Sequence, residues 1–150
     1  MDKKESVFRA SLLLVKHFKD CLDRGGKGLH SRVFTYFLHP ETEFVGVGQS
    51  QEVIDGEPVH PEHLVPCSAL IDETCRLIKQ EKPEDEIANL LSKHWKIAFI
   101  SKRQASYIDS KEGLNLKNTM PSGWDFENGD TYERLHRAGI TLLPLENIKI

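Results

Sequence analysis

A short segment of the chain combines side chains that bind metal ions with side chains that transfer protons. It reads VHPEHLVPC over residues 59–67 and holds His60, Glu62, His63 and Cys67 among two prolines. A carboxylate with an imidazole can hold a divalent ion, and a nearby free imidazole can take a proton from water attacking a phosphate. This segment is therefore the first candidate for a functional site.

The backbone conformation of the segment decides which of its side chains share a face. In an extended strand neighbouring side chains point to opposite faces, so Glu62 and His63 separate while His60 and Glu62 lie together. Pro61 and Pro66 favour an irregular backbone, and a bulge or bend would bring Glu62 and His63 to one site. Two arrangements follow: His60 and Glu62 both on a metal ion, or Glu62 on the ion with His63 as general base.

The letters EHLVP at 62–66 resemble the first element of HNH endonucleases, the ββα-metal nucleases. In that family an acidic residue binds the metal ion and the His that follows it activates water. The resemblance implies that Glu62 is a metal ligand and that His63 is the general base.

The second element of that family is an Asn before a short strand, followed by a helix that supplies another ligand. Residues 92–109 are similar in order, with His94 in the Asn position and Gln104 on the helix. The resemblance implies an HNH-like core over 57–110. Its implied catalytic residues are His63 and His94, and its implied metal ligands are Glu62 and Gln104. His60, which shares a face with Glu62 on an extended strand, is the alternative to Gln104, and the expected ion is Mg²⁺ or Mn²⁺, with Zn²⁺ as an alternative.

Three other interpretations of the segment remain open. His60, His63, Cys67 and Cys75 have the ligand types of a structural zinc site, although their spacing is not that of a familiar zinc finger. Cys67 can act as a nucleophile with His63 as its base, although nothing else in the chain marks an acyl-transfer site. The segment can also be a surface loop with a satisfied histidine, its cysteines buried as small apolar residues.

Hydrophobic periodicity and turn residues predict the elements that would position these groups. Apolar residues at helical spacing predict a helix over 4–22, and the glycines of 23–28 end it. β-branched and aromatic residues predict a hairpin of strands 32–38 and 43–48. The further predicted elements are a helix from Pro66 to about residue 80, a helix over 82–95, a strand over 95–100, a helix over 102–110 capped by Ser101, a short helix over 130–138 and a terminal strand over 139–145.

Length and composition indicate one globular domain. The chain has 150 residues, of which 39% are hydrophobic and 29% charged. The order of its elements predicts a single α+β domain over 1–150, mostly helical, with a short β-hairpin and a ββα-metal-like element. No apolar run is long enough to span a bilayer, the N-terminus does not read as a secretory signal, and three cysteines fit no disulfide framework, so the cytoplasm is the expected compartment.

Charge argues against general nucleic-acid binding but leaves a local exception. The net charge is −3, whereas between residues 93 and 117 basic residues outnumber Asp109 and Glu112. These basic residues are Lys93, Lys96, Lys102, Arg103, Lys111 and Lys117. Such a patch can hold a phosphate backbone, with DNA the preferred expectation over RNA.

Two functional hypotheses follow from the sequence. One is a metal-dependent HNH-like endonuclease that hydrolyses phosphodiester bonds. The other is a catalytically inactive protein of nuclease-like fold, an inhibitor or adaptor that docks on a protein partner, in a phage- or defence-related setting.

Overall fold

The structure is a computed structural model that describes residues 2–145. Its helices are α1 (Lys3–Asp23), α2 (Val33–Phe37), α3 (Glu41–Val45), α4 (Gln51–Ile54), α5 (Cys67–Lys79), α6 (Glu84–His94), α7 (Lys102–Asp109) and α8 (Glu133–Arg137). Its strands are β1 (Gly46–Ser50), β2 (Val59–His63), β3 (Ile97–Ser101) and β4 (Leu142–Leu143). The predicted α+β class is confirmed.

The strands form one small sheet in the order β2-β3-β1-β4. Strand β1 runs parallel to β3, while β2 pairs antiparallel with β3 and β4 pairs antiparallel with β1. Helix α7 follows β3 directly, so β2, β3 and α7 reproduce the predicted ββα order with α5 and α6 between the two strands.

Two apolar cores lie on the two sides of this sheet. The larger one packs α1, α2, α5 and α6 against the face that carries Ile97 of β3. The smaller one packs α7 and the region of α8 against the face that carries Ala98 and Ile100. Consecutive residues of β3 point to different cores. The side chain of each β2 residue faces the same core as the β3 residue opposite it.

Helix α1 forms where the hydrophobic pattern predicts a helix. The side chain of Asp2 accepts a hydrogen bond from the amide of Glu5 at 2.7 Å and caps the first turn. Leu14 and Phe18, one turn apart, are fully buried in the larger core. Among residues 2–145 no helix, this one included, is long and apolar enough to cross a membrane.

The predicted hairpin of strands 32–38 and 43–48 is wrong. Residues 33–37 and 41–45 are the short helices α2 and α3, and β1 pairs with β3 instead. Val33 and Phe34 are neighbours and both are buried, which a strand with one wet face cannot achieve. Tertiary packing therefore overrides the β propensity of this segment.

Gly46 makes the passage from α3 into β1 sterically feasible. A Cβ atom at this position would lie 2.5 Å from the carbonyl oxygen of Thr42, a backbone atom that cannot move aside. The passage matters because α3 carries Glu41, which belongs to the site described below. The predicted terminal strand over 139–145 is shorter than expected, since only Leu142–Leu143 pairs with β1.

Candidate active site

The register of β2 on β3 places Glu62 and His63 on opposite faces of the sheet. Glu62 lies opposite Ala98 and His63 lies opposite Ile97, and residue pairs directly opposite in an antiparallel ladder share a face. The ladder continues without a bulge through Pro61. The bend that would bring Glu62 and His63 to one metal ion does not form.

Glu62 is held in a buried ion pair. Its Oε2 accepts a hydrogen bond from Nη2 of Arg134 at 3.1 Å, and its Oε1 lies 3.1 Å from Nε2 of His60. Burial raises the pKa of Glu62, and the positive charge of Arg134 opposes that rise. Arg134 is only 1% exposed and also donates to the carbonyl oxygens of His63 and Leu116. The carboxylate therefore already has a protein cation where the metal ion was expected.

Gln104 has a local structural role in place of the expected metal ligation. The side-chain oxygen Oε1 of Gln104 accepts a hydrogen bond from the backbone amide of Ser101 at 2.9 Å. The backbone amide of Gln104 donates to the hydroxyl of Ser101 at 3.0 Å. This reciprocal pair is a capping box that starts α7. The predicted cap at Ser101 is confirmed. The side-chain oxygen of Gln104, expected to bind metal, instead accepts a hydrogen bond from the backbone of Ser101.

His94 is also engaged away from His63. It is fully buried, with Nε2 2.6 Å from the carbonyl oxygen of Phe126 and Nδ1 2.9 Å from the hydroxyl of Thr131. Burial lowers the pKa of His94, so the neutral ring donates from Nε2 and accepts at Nδ1. The ring contacts Trp124 and Phe126 edge-on. His94 thus stabilises the long loop before α8 through its hydrogen bonds to Phe126 and Thr131. This geometry does not support the predicted catalytic role of His94.

His63 belongs to a second group of polar side chains on the face of the larger core. Its Nε2 lies 2.7 Å from Oε2 of Glu41, and the same oxygen accepts a hydrogen bond from Nε1 of Trp95 at 2.7 Å. Burial by itself lowers the pKa of His63, but hydrogen bonding and charge interaction with Cys67 and Glu41 outweigh it and raise the pKa to about 10. At neutral pH His63 is therefore an imidazolium. It donates a proton and cannot serve as a ready general base.

Cys67 completes this group from the start of a helix. It is the first residue of α5, which has no side-chain cap, and its side chain is partly exposed. The free amides and the positive dipole end of a helix favour negative charge at this position. His63 remains partly accessible as well, with 26% of its side chain exposed. Glu41, His63 and Cys67 thus form a carboxylate, imidazole and thiol series with two members open to solvent.

Glu41 was not anticipated from the sequence, and a wrong prediction explains the omission. The predicted hairpin of strands 32–38 and 43–48 places Glu41 in the turn between its strands, away from the segment 59–67. An acidic residue directly after Pro40 is typical of a helix start, and that signal would have placed it on α3. Nothing in the sequence, however, indicates that α3 lies against the end of β2.

The four proposed zinc ligands do not converge. His60 lies with Glu62 on the opposite face from His63. Cys75 is buried among apolar residues of the larger core, and burial raises the pKa of its thiol. All three cysteines are free. Within the zinc set, Cys67 is the member that raises the pKa of His63.

A different cluster has ligand atoms close enough for a metal ion. In Asp130, Glu133 and His136 these atoms lie within 4.8 Å of one another, and Nδ1 of His136 lies 2.9 Å from Asp130. The cluster is largely exposed on α8 and the turn before it, where such groups also occur as ordinary ion pairs. It includes none of the residues expected to bind metal from the sequence.

Comparison with known proteins identifies no relative. No protein-family model matches the chain, and neither a curated protein nor a solved structure matches it. Its function must therefore be inferred from the geometry of its own residues.

Proposed function

We propose that the chain is an enzyme in which Cys67 is the nucleophile, His63 its proton partner and Glu41 the residue that positions and charges the imidazole. The observation that carries this proposal is the position of the His63 ring, which lies 2.7 Å from the carboxylate of Glu41 and close enough to the thiol of Cys67 for that group to raise the pKa of the imidazole. A nucleophile, a base in contact with it and a third group that orients the base are the recurring parts of covalent catalysis.

The protonated state of His63 favours this chemistry over activation of water. An imidazolium beside a thiol at a helix N-terminus is the setting in which proteins hold a reactive thiolate. The carboxylate of Glu41, which stabilises the imidazolium of His63, is buried and is held in place by the hydrogen bond from Trp95. Because Glu41 is fixed, the His63 ring bound to it is also held in one orientation.

The reaction class that fits is acyl transfer from an ester, a thioester or an amide. The Cys67 thiolate forms a bond to the carbonyl carbon, and the carbonyl electron pair moves to its oxygen near the uncapped amides of α5. The leaving group departs with the proton of His63 and leaves an acyl thioester on Cys67. Water then adds to the thioester carbonyl with His63 accepting its proton, and the carboxylic acid leaves as the Cys67 thiolate and the His63 imidazolium are restored.

The test is the reaction with p-nitrophenyl acetate. We expect a burst of p-nitrophenolate equal to the amount of protein, and an acetyl group found by mass spectrometry on the peptide of Cys67. Replacing His63 with Asn should slow this acylation by about 100-fold, because it removes the imidazolium that activates the sulfur of Cys67. Cys75→Ser is the matched control, since Cys75 is buried away from His63 and its loss should leave the burst intact. Equal labelling of Cys67 and Cys75 would refute the proposal.

An HNH-like, metal-dependent nuclease acting on DNA is the second candidate. It is supported by the ββα order of β2, β3 and α7 and by the 3.1 Å contact between His60 and Glu62, a pair that could hold Mg²⁺ or Mn²⁺. The ion would have to displace Arg134 from Glu62. His63 cannot activate water at this pair, because it lies on the opposite face.

Plasmid nicking in Mn²⁺ separates the two candidates. The nuclease proposal requires nicking that Glu62→Gln abolishes and Cys67→Ser leaves unchanged, whereas the thiol proposal expects no nicking in either variant. Absence of both nicking and acylation would instead favour the binding or inhibitor protein that docks on a partner. The three free cysteines suit a reducing compartment, and we keep the cytoplasm as the proposed location.

A further inference from the structure

A large cleft shares Trp95 with the candidate site, since Trp95 lines the cleft and also donates a hydrogen bond to Glu41. It has a volume of about 750 Å³ and is bounded by the start of α1, the junction of α3 with β1, and the end of α6. Pockets of about 300–1,000 Å³ are typical of small-molecule sites. The apolar residues that line it are Val7, Phe8, Phe44, Val45, Val47 and Trp95. The cleft can therefore enclose a hydrocarbon or aromatic group.

Positive charge lies at the same cleft and is only partly compensated. Lys4, Lys93 and Lys96 line it, and the ammonium of Lys93 donates to the carbonyl oxygen of Glu127 at 3.0 Å. Burial, and then the charge of Lys4, lower the pKa of Lys96. Within residues 2–145 no carboxylate forms an ion pair with Lys4 or Lys96. A half-buried ammonium next to a second cation and an apolar wall is the complement of an anion with an apolar body.

We propose that this cleft binds a small carboxylate amphiphile, with the carboxylate at Lys96 and Lys4 and the hydrocarbon along Phe44, Val47 and Trp95. Asp2 and Glu5, neighbours of Lys4 in sequence, also line the cleft, so Lys96 provides the main contact for the anion. This binding site does not depend on the chemistry proposed for Cys67.

Calorimetric titration with decanoate tests the proposal. We expect decanoate to bind to the wild type and to Cys67→Ser equally, and expect decanol and acetate to bind at least about tenfold more weakly, because each lacks one half of the recognised group. Lys96→Gln should weaken decanoate binding about tenfold, and Phe44→Ala should weaken it by a similar factor. Lys82→Gln is the matched control, since Lys82 is an exposed lysine that does not line the cleft, and this variant should bind decanoate as the wild type does.

The outcomes that would overturn the proposal are distinct. Decanol binding as tightly as decanoate would show that no anion is recognised, and an unchanged affinity in folded Lys96→Gln would remove the assigned contact. Circular dichroism of each variant separates loss of the site from loss of the fold. Co-sedimentation with phosphatidylglycerol vesicles in the absence of decanoate binding would assign the cleft to a membrane surface instead. Loss of binding in Cys67→Ser would show that the two sites are not independent.

Discussion

Replacing Arg134 with Met is expected to lower the free energy of unfolding by about 3–5 kcal/mol, the usual cost of removing one partner of a buried ion pair. Arg134 is 1% exposed, and its loss leaves the carboxylate of Glu62 buried without its main cation. It also removes the donors to the carbonyl oxygens of His63 and Leu116. Urea denaturation followed by circular dichroism measures the change.

A matched control lies on the same helix. Arg137 pairs with Glu133 at 2.9 Å, but 52% of its side chain is exposed, so Arg137→Met should cost less than about 1 kcal/mol. The double variant Arg134→Met with Glu62→Gln should recover part of the loss, because the unpaired buried charge is then gone. Equal costs for Arg134→Met and Arg137→Met would contradict the buried pair and strengthen the case for a metal ion at Glu62.

The stability of the wild type is expected to fall with rising pH between about 6.5 and 10 more steeply than that of His63→Asn. The pKa of His63 is raised from 6.5 to about 10 in the folded protein, so in this interval the folded state holds a proton that the unfolded state has released. The contribution is fully present below pH 6.5 and is lost as pH passes 10. One such proton corresponds to a slope difference of at most about 1.4 kcal/mol per pH unit, a value reached only where Cys67 binds the same number of protons in the folded and unfolded states.

Comparing slopes removes the constant cost of the substitution itself. Urea midpoints measured at half-unit steps across the interval give the slope for each protein. Glu41→Gln should flatten the curve in part, because it removes one of the two partners that raise the pKa, while Cys67 remains. Parallel curves for the wild type and His63→Asn would show that the imidazolium is not stabilised by Glu41 and Cys67.

The long helices could be read from the sequence because local signals define them. The apolar spacing of α1, the helix of Glu84–His94 behind Pro83, and the Ser101 cap of α7 all depend on residues within one or two turns. The hairpin prediction failed where local propensity and burial disagree, since Val33 and Phe34 both enter the core. Short elements of this kind take their conformation from what they pack against.

The residues of the segment 59–67 are grouped differently in the structure from the grouping that the HNH resemblance implies. Alternation along a strand already implied that His60 and Glu62 share a face and that His63 does not, and the ladder of β2 on β3 confirms that alternation. The resemblance to HNH nucleases favoured a bend that would unite Glu62 and His63, and the regular ladder leaves them apart. His94 and Gln104 have the expected order along the chain and different partners in space.

By itself the sequence determined an α+β domain with its reactive side chains concentrated between residues 59 and 67. That much follows from periodicity and from residue types close together along the chain. Only the tertiary structure decided which groups lie in contact, because the partners are distant in sequence: Arg134 contacts Glu62 across 72 positions, and Glu41 contacts His63 across 22. The protonation state of a side chain depends on such contacts. The pairing of Glu62 with Arg134 and the protonation of His63 therefore could not be predicted from the segment 59–67 alone.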